Sequence, residues 1–196
     1  LRDSQNQAIR VDATPPRPAT LDEIKQVIAD FAHATKCAQE AGFDGVEVHG
    51  AHGYLLHQFW VEQTNKREDE YGGSRENRAR LTLDVLDACI DAWDADHVGI
   101  RISPLGTFNN VEAGYNEDKN IWMIEQINKR QPMYLHLSEP DWAGGTPYND
   151  GFREKIRAAF DNTIIAAGGY TAEKAEKNVK AGFIDAVAFG RDYIAL

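Results

Sequence analysis

Two rhythms of apolar and polar positions alternate along the chain. From Thr20 the sequence reads "TLDEIKQVIADFAHATKCAQEAG", with Ile24, Val27, Ile28, Phe31, Thr35 and Ala38 at helical spacing. "TLDE" has the form of a capping box, in which Thr20 reaches forward and Glu23 reaches back. Gly42 follows where a left-handed residue ends a helix. "FDGVEVH" at 43–49 then reads as a buried strand. The couplet recurs. Ser74 caps a helix with Leu81, Val85, Leu86, Cys89 and Trp93 on one face, and "HVGIRIS" at 97–103 is the next strand. A loop from Pro104 to Glu117 leads into a helix near 118–130 and a strand, "MYLHLS", at 133–138. The loop "EPDWAGGTPYND" precedes a helix near 150–160, and "TIIAAGG" at 163–169 is a strand. Thr171 caps a helix ending at Gly182, and "DAVAFG" at 185–190 closes the series. Residues 1–19 are polar and read as a hairpin or loop leading in.

Strands that alternate with helices and are nearly continuously apolar indicate an α/β fold with a parallel sheet covered by helices. An open doubly wound sheet and part of a TIM (β/α)8 barrel both fit that pattern. The polar residues favour the barrel. His49, Arg101, Ser138, Gly168 with Gly169, and Gly190 with Arg191 all fall at or just past the C-terminal end of a strand. In a barrel those ends converge on one mouth, whereas in an open sheet only the ends beside the switch point do. A barrel has eight strands, so this chain reads as about strands 4 to 8. On this reading residues 1–196 form a single incomplete barrel domain. The two open strand edges would be covered by self-association, domain exchange or further chain.

Composition narrows the class of function. The 196 residues include 21 Lys and Arg against 31 Asp and Glu, a formal charge of −10, without a basic run. Nucleic acid and anionic membrane are therefore poor partners. No apolar run approaches a membrane span, and residues 1–20 lack the apolar centre of a signal peptide. Cys37 and Cys89 sit in helical patterns and read as reduced core residues of a cytoplasmic protein.

Three constellations bear chemistry. "AAGGYTAEK" and "FGRD" each run from a strand through glycine into a helix, the second with Arg191. Glycine lets backbone approach an anion, and helix starts offer free N–H groups, so Gly168, Gly169, Gly190 and Arg191 suggest a phosphate site. The plainer explanation is a pair of tight turns. Arg101 lies inside an apolar strand, where it needs an acceptor: Glu47 in an internal ion pair, or the ring of a cofactor. "EVHGAHGYLLHQFW" places His49, His52 and Tyr54 together. A histidine satisfied by backbone is one reading, and metal ligation a second, although no third ligand stands at ligand spacing. The third is a pair of donors for a substrate oxygen, with Tyr54 as a proton source and with Gly50 and Ala51 leaving room for a flat ligand. His57 and His136 read as structural. So does "DEYGGSRENRAR", a glycine turn before a capped helix.

"AGFDGVEVHGAHGYLLHQF", "YGGSRENRAR", "GIRISP" and "DAVAFGRDYIA" resemble, in order, the motifs of the Old Yellow Enzyme family of flavoproteins. The His-x-x-His spacing is similar to the bacterial branch of N-ethylmaleimide reductase and pentaerythritol tetranitrate reductase. The resemblance implies FMN as cofactor, NADPH or NADH as reductant, and a small electrophilic substrate. It implies that His49 and His52 hold an oxygen of the ligand, that Tyr54 donates a proton, and that Arg101 meets the N1/O2 edge of the flavin. Gly168, Gly169, Gly190 and Arg191 would bind the FMN phosphate. Trp60, Val61 and Glu62 depart from the family's usual Leu-Ser-Pro, which leaves the path of that loop open. The family's first three strands, with a threonine and a glutamine that contact flavin, have no counterpart here, nor does its closing C-terminal segment. The implied activity is reduction of enones, maleimides, nitro compounds or nitrate esters. The alternatives are a flavin-binding module without catalysis and a metal hydrolase built on the histidine pair.

Overall fold

The computed structural model describes residues 16–110 and 116–194, so most of the leading segment, residues 1–15, lies outside it. Five parallel strands form one sheet: β1 (Val46–Gly50), β2 (Val98–Ile102), β3 (Tyr134–Ser138), β4 (Thr163–Ala167) and β5 (Ala186–Val187). The helices are α1 (Leu21–Glu40), α2 (Leu55–Trp60), α3 (Arg75–Ala92), α4 (Glu117–Asn128), α5 (Asp150–Ala159), α6 (Ala172–Lys180) and α7 (Arg191–Ile194). The strand order is β1-β2-β3-β4-β5 without reversal. Parallel crossovers are right-handed, so a sequential order puts every crossover helix on the same face of the sheet. The other face is then the inside of an arc. A doubly wound sheet would reverse its order at a switch point, and this one does not.

Register separates the two faces. Val48, Ile100, Leu135 and Ile164 lie side by side across four strands and are all buried. They pack with Ile24, Val85, Leu86, Ile124 and Phe152 in the core between sheet and helices. The neighbouring row, His49, Arg101, His136 and Ile165, faces the inside of the arc. The strands that look continuously apolar in sequence thus alternate after all: the inward row is where their polar residues stand.

α1, α3 and α6 start at the caps expected from sequence. Thr20 Oγ1 accepts from the Glu23 N–H at 3.2 Å while the Glu23 carboxylate accepts from the Thr20 N–H at 2.8 Å. Ser74, Asn116, Asn149 and Thr171 cap α3, α4, α5 and α6 with the same kind of side-chain bond. Cys89 is buried, but Cys37 is exposed, contrary to the core role expected of it. It stands two residues past buried Thr35, about 200° around α1 from the packed face.

The loop at Trp60–Glu62 takes a defined path. Trp60 stacks on Trp122 of α4, with ring centres 6.1 Å apart and planes 9° from parallel. Arg78, buried in α3, donates Nε–H to the Trp60 carbonyl at 3.1 Å, and Glu62 pairs with Lys119 at 3.2 Å. "YGGSRENRAR" is therefore structural here: its Arg78 ties the loop to the helix layer.

Candidate functional site

The end of β1 runs into a tight turn. The Tyr54 N–H bonds the Ala51 carbonyl at 3.2 Å, and the two residues between them, His52 and Gly53, have φ of 58° and 72°. Two successive positive φ values make this a type I′ turn. Gly53 adopts that conformation freely, whereas a histidine there is strained by about 1–2 kcal/mol. The strain is held by side chains. The His52 N–H bonds Ser103 Oγ at 3.0 Å, and its carbonyl accepts from Asn109 Nδ2 at 2.9 Å. The Gly53 N–H bonds His57 Nδ1 at 2.9 Å, and its carbonyl accepts from Gln58 Nε2 at 2.7 Å.

The turn brings the three predicted residues together. The rings of His49 and His52 are 5.4 Å apart, and that of Tyr54 is 5.5 Å from His49. Tyr54 is the N-cap of α2 and is 53 % exposed. The His52 ring also meets Trp142 at 5.4 Å and Phe108 at 6.1 Å, aromatic residues from the loops after β3 and β2. Its Nε2 is 2.7 Å from Ser138 Oγ. With Ser138 donating, the ring's own proton sits on Nδ1, which is then the donor available to a ligand. Gly50 and Ala51 do not provide the room expected of them. A Cβ on Gly50 would lie 3.2 Å from the Arg101 carbonyl, so the missing side chain lets β2 approach, and Ala51 is fully buried.

Both imidazoles are held neutral. Burial, then the charge of Arg101, lowers His52 to about 4. The same two causes lower His49, against a smaller pull from Glu47. A neutral ring keeps one N–H to donate and carries no charge that would repel a cationic neighbour.

Arg101 is the register partner of His49 on one side and His136 on the other. The ion pair with Glu47 does not form. Glu47 instead accepts from His136 Nδ1 at 2.8 Å. Burial alone would raise the Glu47 carboxyl; the bond and charge of His136, with smaller help from Tyr134 and Arg101, bring it below its ordinary value. The Tyr134 ring reaches Glu47 by lying over Gly99, where an added Cβ would come within 2.3 Å of it. With Glu47 taken, the Arg101 Nε is buried without a hydrogen-bond partner, as is His136 Nε2. A buried donor of that kind needs an acceptor that the described residues do not supply.

The glycine turns divide. After β4, Gly168 has φ 151°, and a Cβ there would fall 2.5 Å from Asp141 Oδ1. Asp141 fills the cradle itself: its Oδ1 accepts from the Gly169 N–H at 2.7 Å, and Lys174 Nζ holds Oδ2 at 2.7 Å. Behind it, buried Glu139 is paired with both Arg153 guanidinium nitrogens and with the Tyr170 hydroxyl. Gly190 accepts the first bonds of α7, and a Cβ on it would meet nothing within 4 Å among the described residues. The side chain of Arg191 lies outside what is described. No three His, Cys, Asp or Glu side chains among the described residues are grouped to hold a metal ion.

Residues 3–195 match the NADH:flavin oxidoreductase / NADH oxidase family. The chain belongs to the Old Yellow Enzyme family. It is 44% identical over 187 residues to putative 12-oxophytodienoate reductase 5 of Oryza sativa subsp. japonica, a match covering 92% of this chain and 49% of that protein. Morphinone reductase in complex with tetrahydroNAD superposes with a TM-score of 0.89 at 37% identity, over 100% of this chain and 52% of that one. The Old Yellow Enzyme homologue from Zymomonas mobilis gives 0.85 at 33% identity, over 91% and 51%. The chain thus spans about half the length of the relatives it matches, which fits an arc of barrel strands rather than a closed barrel.

A flavin fits these residues. The orphaned Nε–H of Arg101 points to a buried acceptor such as the N1/O2 edge of an isoalloxazine, and it lies one strand from the two neutral imidazoles. The phosphate end fits less simply. A phosphate using the Gly169 N–H must displace the Asp141 carboxylate, a conflict that the glycine pattern alone does not reveal. Sequence reading also misses Ser103, Asn109 and Gln58, and it gives Ser138, though placed at the barrel mouth, and His57, though read as structural, no part in holding His52. Of these only His57 and Gln58 lie close enough along the chain for a local pattern to point to them.

Proposed function

We propose that the protein works as an FMN-dependent NAD(P)H oxidoreductase on activated C=C bonds of enones and maleimides, and on nitro compounds or nitrate esters. The carrying observation is the pair of neutral imidazoles 5.4 Å apart with Tyr54 beside them, one strand from the unpartnered Arg101 Nε. Bound FMN would supply the redox chemistry, taking two electrons from the nicotinamide and passing them to the substrate. His49 and His52 would donate to the substrate's oxygen, where negative charge builds as the double bond is reduced. Tyr54 would hold, at its hydroxyl, the proton destined for the neighbouring carbon. Arg101 would place positive charge against the ring. The phosphate would use Gly190, Arg191 and the Gly168–Gly169 turn, with Asp141 giving way.

Support comes from relatives named as reductases of 12-oxophytodienoate and morphinone, one of them bound to tetrahydroNAD. The His-x-x-His spacing supports a substrate range like that of N-ethylmaleimide reductase. The site ends β1 and β2 in the sheet, while β1 and β5 each pair with one strand among the described residues. Further chain or a second copy would cover those edges. Two free cysteines suit a cytoplasmic setting, and no described helix is long and apolar enough to cross a membrane.

Visible absorbance tests the proposal. Purified protein should carry flavin that NADPH or NADH bleaches and 2-cyclohexenone restores. Tyr54→Phe should slow recovery with the enone and leave recovery with a nitro compound nearly intact. Flavin that binds but never bleaches would favour the binding module, and the lack of any flavin affinity would refute both readings.

A further inference from the structure

The strained turn has a lock of its own. Within residues 52–58 the chain contains both the left-handed pair His52–Gly53 and two of the side chains that hold it. The helix that follows, α2, has Tyr54 at its N-cap, which makes no side-chain capping bond. In a capping box the third helical residue reaches back to the N–H of the N-cap. Here the third helical residue is His57, and it reaches one residue further, to the N–H of Gly53 at 2.9 Å. A lone pair on Nδ1 must accept that bond, so the ring proton sits on Nε2 and the ring is neutral. The bond is buried, shielded from competing water.

We propose that His57 is a positioning residue for His52: its Nδ1, accepting from the Gly53 N–H, keeps the type I′ turn in the left-handed form that aims the His52 ring beside His49. Release of the Gly53 N–H frees the strained His52 backbone to relax toward ordinary φ values. The His52 ring would then leave its place against Ser138, Phe108 and Trp142. The effect on catalysis rests on the function proposed above; the lock itself does not. Asparagine is the informative substitute at position 57, because its Oδ1 accepts a hydrogen bond and carries no imidazole.

The test compares wild type, His57→Ala and His57→Asn in the flavin-loaded protein, with hydrogen exchange of the Gly53 amide followed in parallel with and without flavin. His57→Ala should lower kcat for enone reduction by roughly 10–100-fold, the scale of a small misplacement of a reacting group. Flavin affinity should stay unchanged, and the Gly53 amide should exchange much faster. His57→Asn should restore both amide protection and most of kcat. Unchanged amide protection in His57→Ala would overturn the proposal, as would a folded His57→Asn that rescues neither property. Should His57→Ala fail to fold, nitrogen NMR of wild type decides. An unprotonated Nδ1 coupled to the Gly53 amide supports the lock, and a proton on Nδ1 refutes it. A wild type that protects Gly53 but reduces no enone would count against the proposed function and leave the lock standing.

Discussion

Two turns leave the same end of the sheet, and they are held by different means. The turn after β1 puts a histidine where glycine is preferred and ties it with uncharged side-chain bonds from Ser103, Asn109, His57 and Gln58. The turn after β4 uses glycines, so the backbone is at ease. It is held by charge: Asp141 on the Gly169 N–H, Lys174 on Asp141, and the buried Glu139–Arg153 pair behind them. The bonds of the first turn hold the strained His52–Gly53 backbone, and so keep the His52 ring beside His49. The second closes on its own carboxylate. Placement of a reactive ring calls for many weak, directional contacts. On the proposed function the second turn would open for the FMN phosphate, and it offers one exchangeable contact, Asp141, on a rigid base.

The largest expected effect is at that base. Glu139→Ala leaves Arg153 buried and unpaired, which should destabilise the fold by about 3–5 kcal/mol in urea unfolding. Gln58→Ala, which removes one uncharged bond from the other turn, should cost about 1 kcal/mol. Equal losses would erase the distinction between the two turns.

The next effect depends on pH. Burial, with smaller contributions from the nearby imidazoles, lowers His57 to about 4, against an ordinary value of 6.5. Between those values the unfolded chain binds the proton and the native state resists it. Stability attributable to His57 is therefore intact above pH 6.5 and is lost as the pH falls toward 4, by about 3 kcal/mol in all. Unfolding of wild type and His57→Asn at pH 7 and pH 4 measures this as a difference between slopes. Identical slopes would show that His57 is not held neutral. Gly53→Ala should cost about 1–2 kcal/mol by forcing a second Cβ into left-handed φ, and a neutral result in thermal unfolding would mean that the turn relaxes freely. The smallest effect belongs to Asp141→Asn. It keeps an acceptor for Gly169 and removes a negative charge, so FMN affinity should rise by about 1 kcal/mol or less in a fluorescence titration. Weaker binding would mean that the carboxylate assists the cofactor instead of blocking its phosphate.

Much of this architecture is legible in the chain. Thr20 and Glu23 announce α1 with a local device of four residues, and the structure forms it. The polar residues at strand ends point to an arc of barrel strands, because His49 and Arg101 interrupt apolar runs where only an inward row accommodates them. Other features are not legible, for physical reasons. α2 is six residues long, and "LLHQFW" is too short to display a helical period. Ser103 and Ser138 reach His52 across 51 and 86 positions, a distance that no spacing rule spans. The glycine pair after β4 looks like an anion cradle, and chemically it is one, but the anion is supplied by Asp141 from the neighbouring loop.

The central claim is that His49 and His52 are neutral donors to an oxygen that gains charge during reduction. It is tested most directly by reducing the flavin-loaded protein with NADPH, mixing it with 2-cyclohexenone, and timing reoxidation for wild type and His49→Ala. The account predicts a rate lower by roughly 10²–10³, the loss expected of one donor to a developing oxyanion, with flavin still bound and the fold intact. An unchanged reoxidation rate, or release of the flavin in place of slower chemistry, would contradict it.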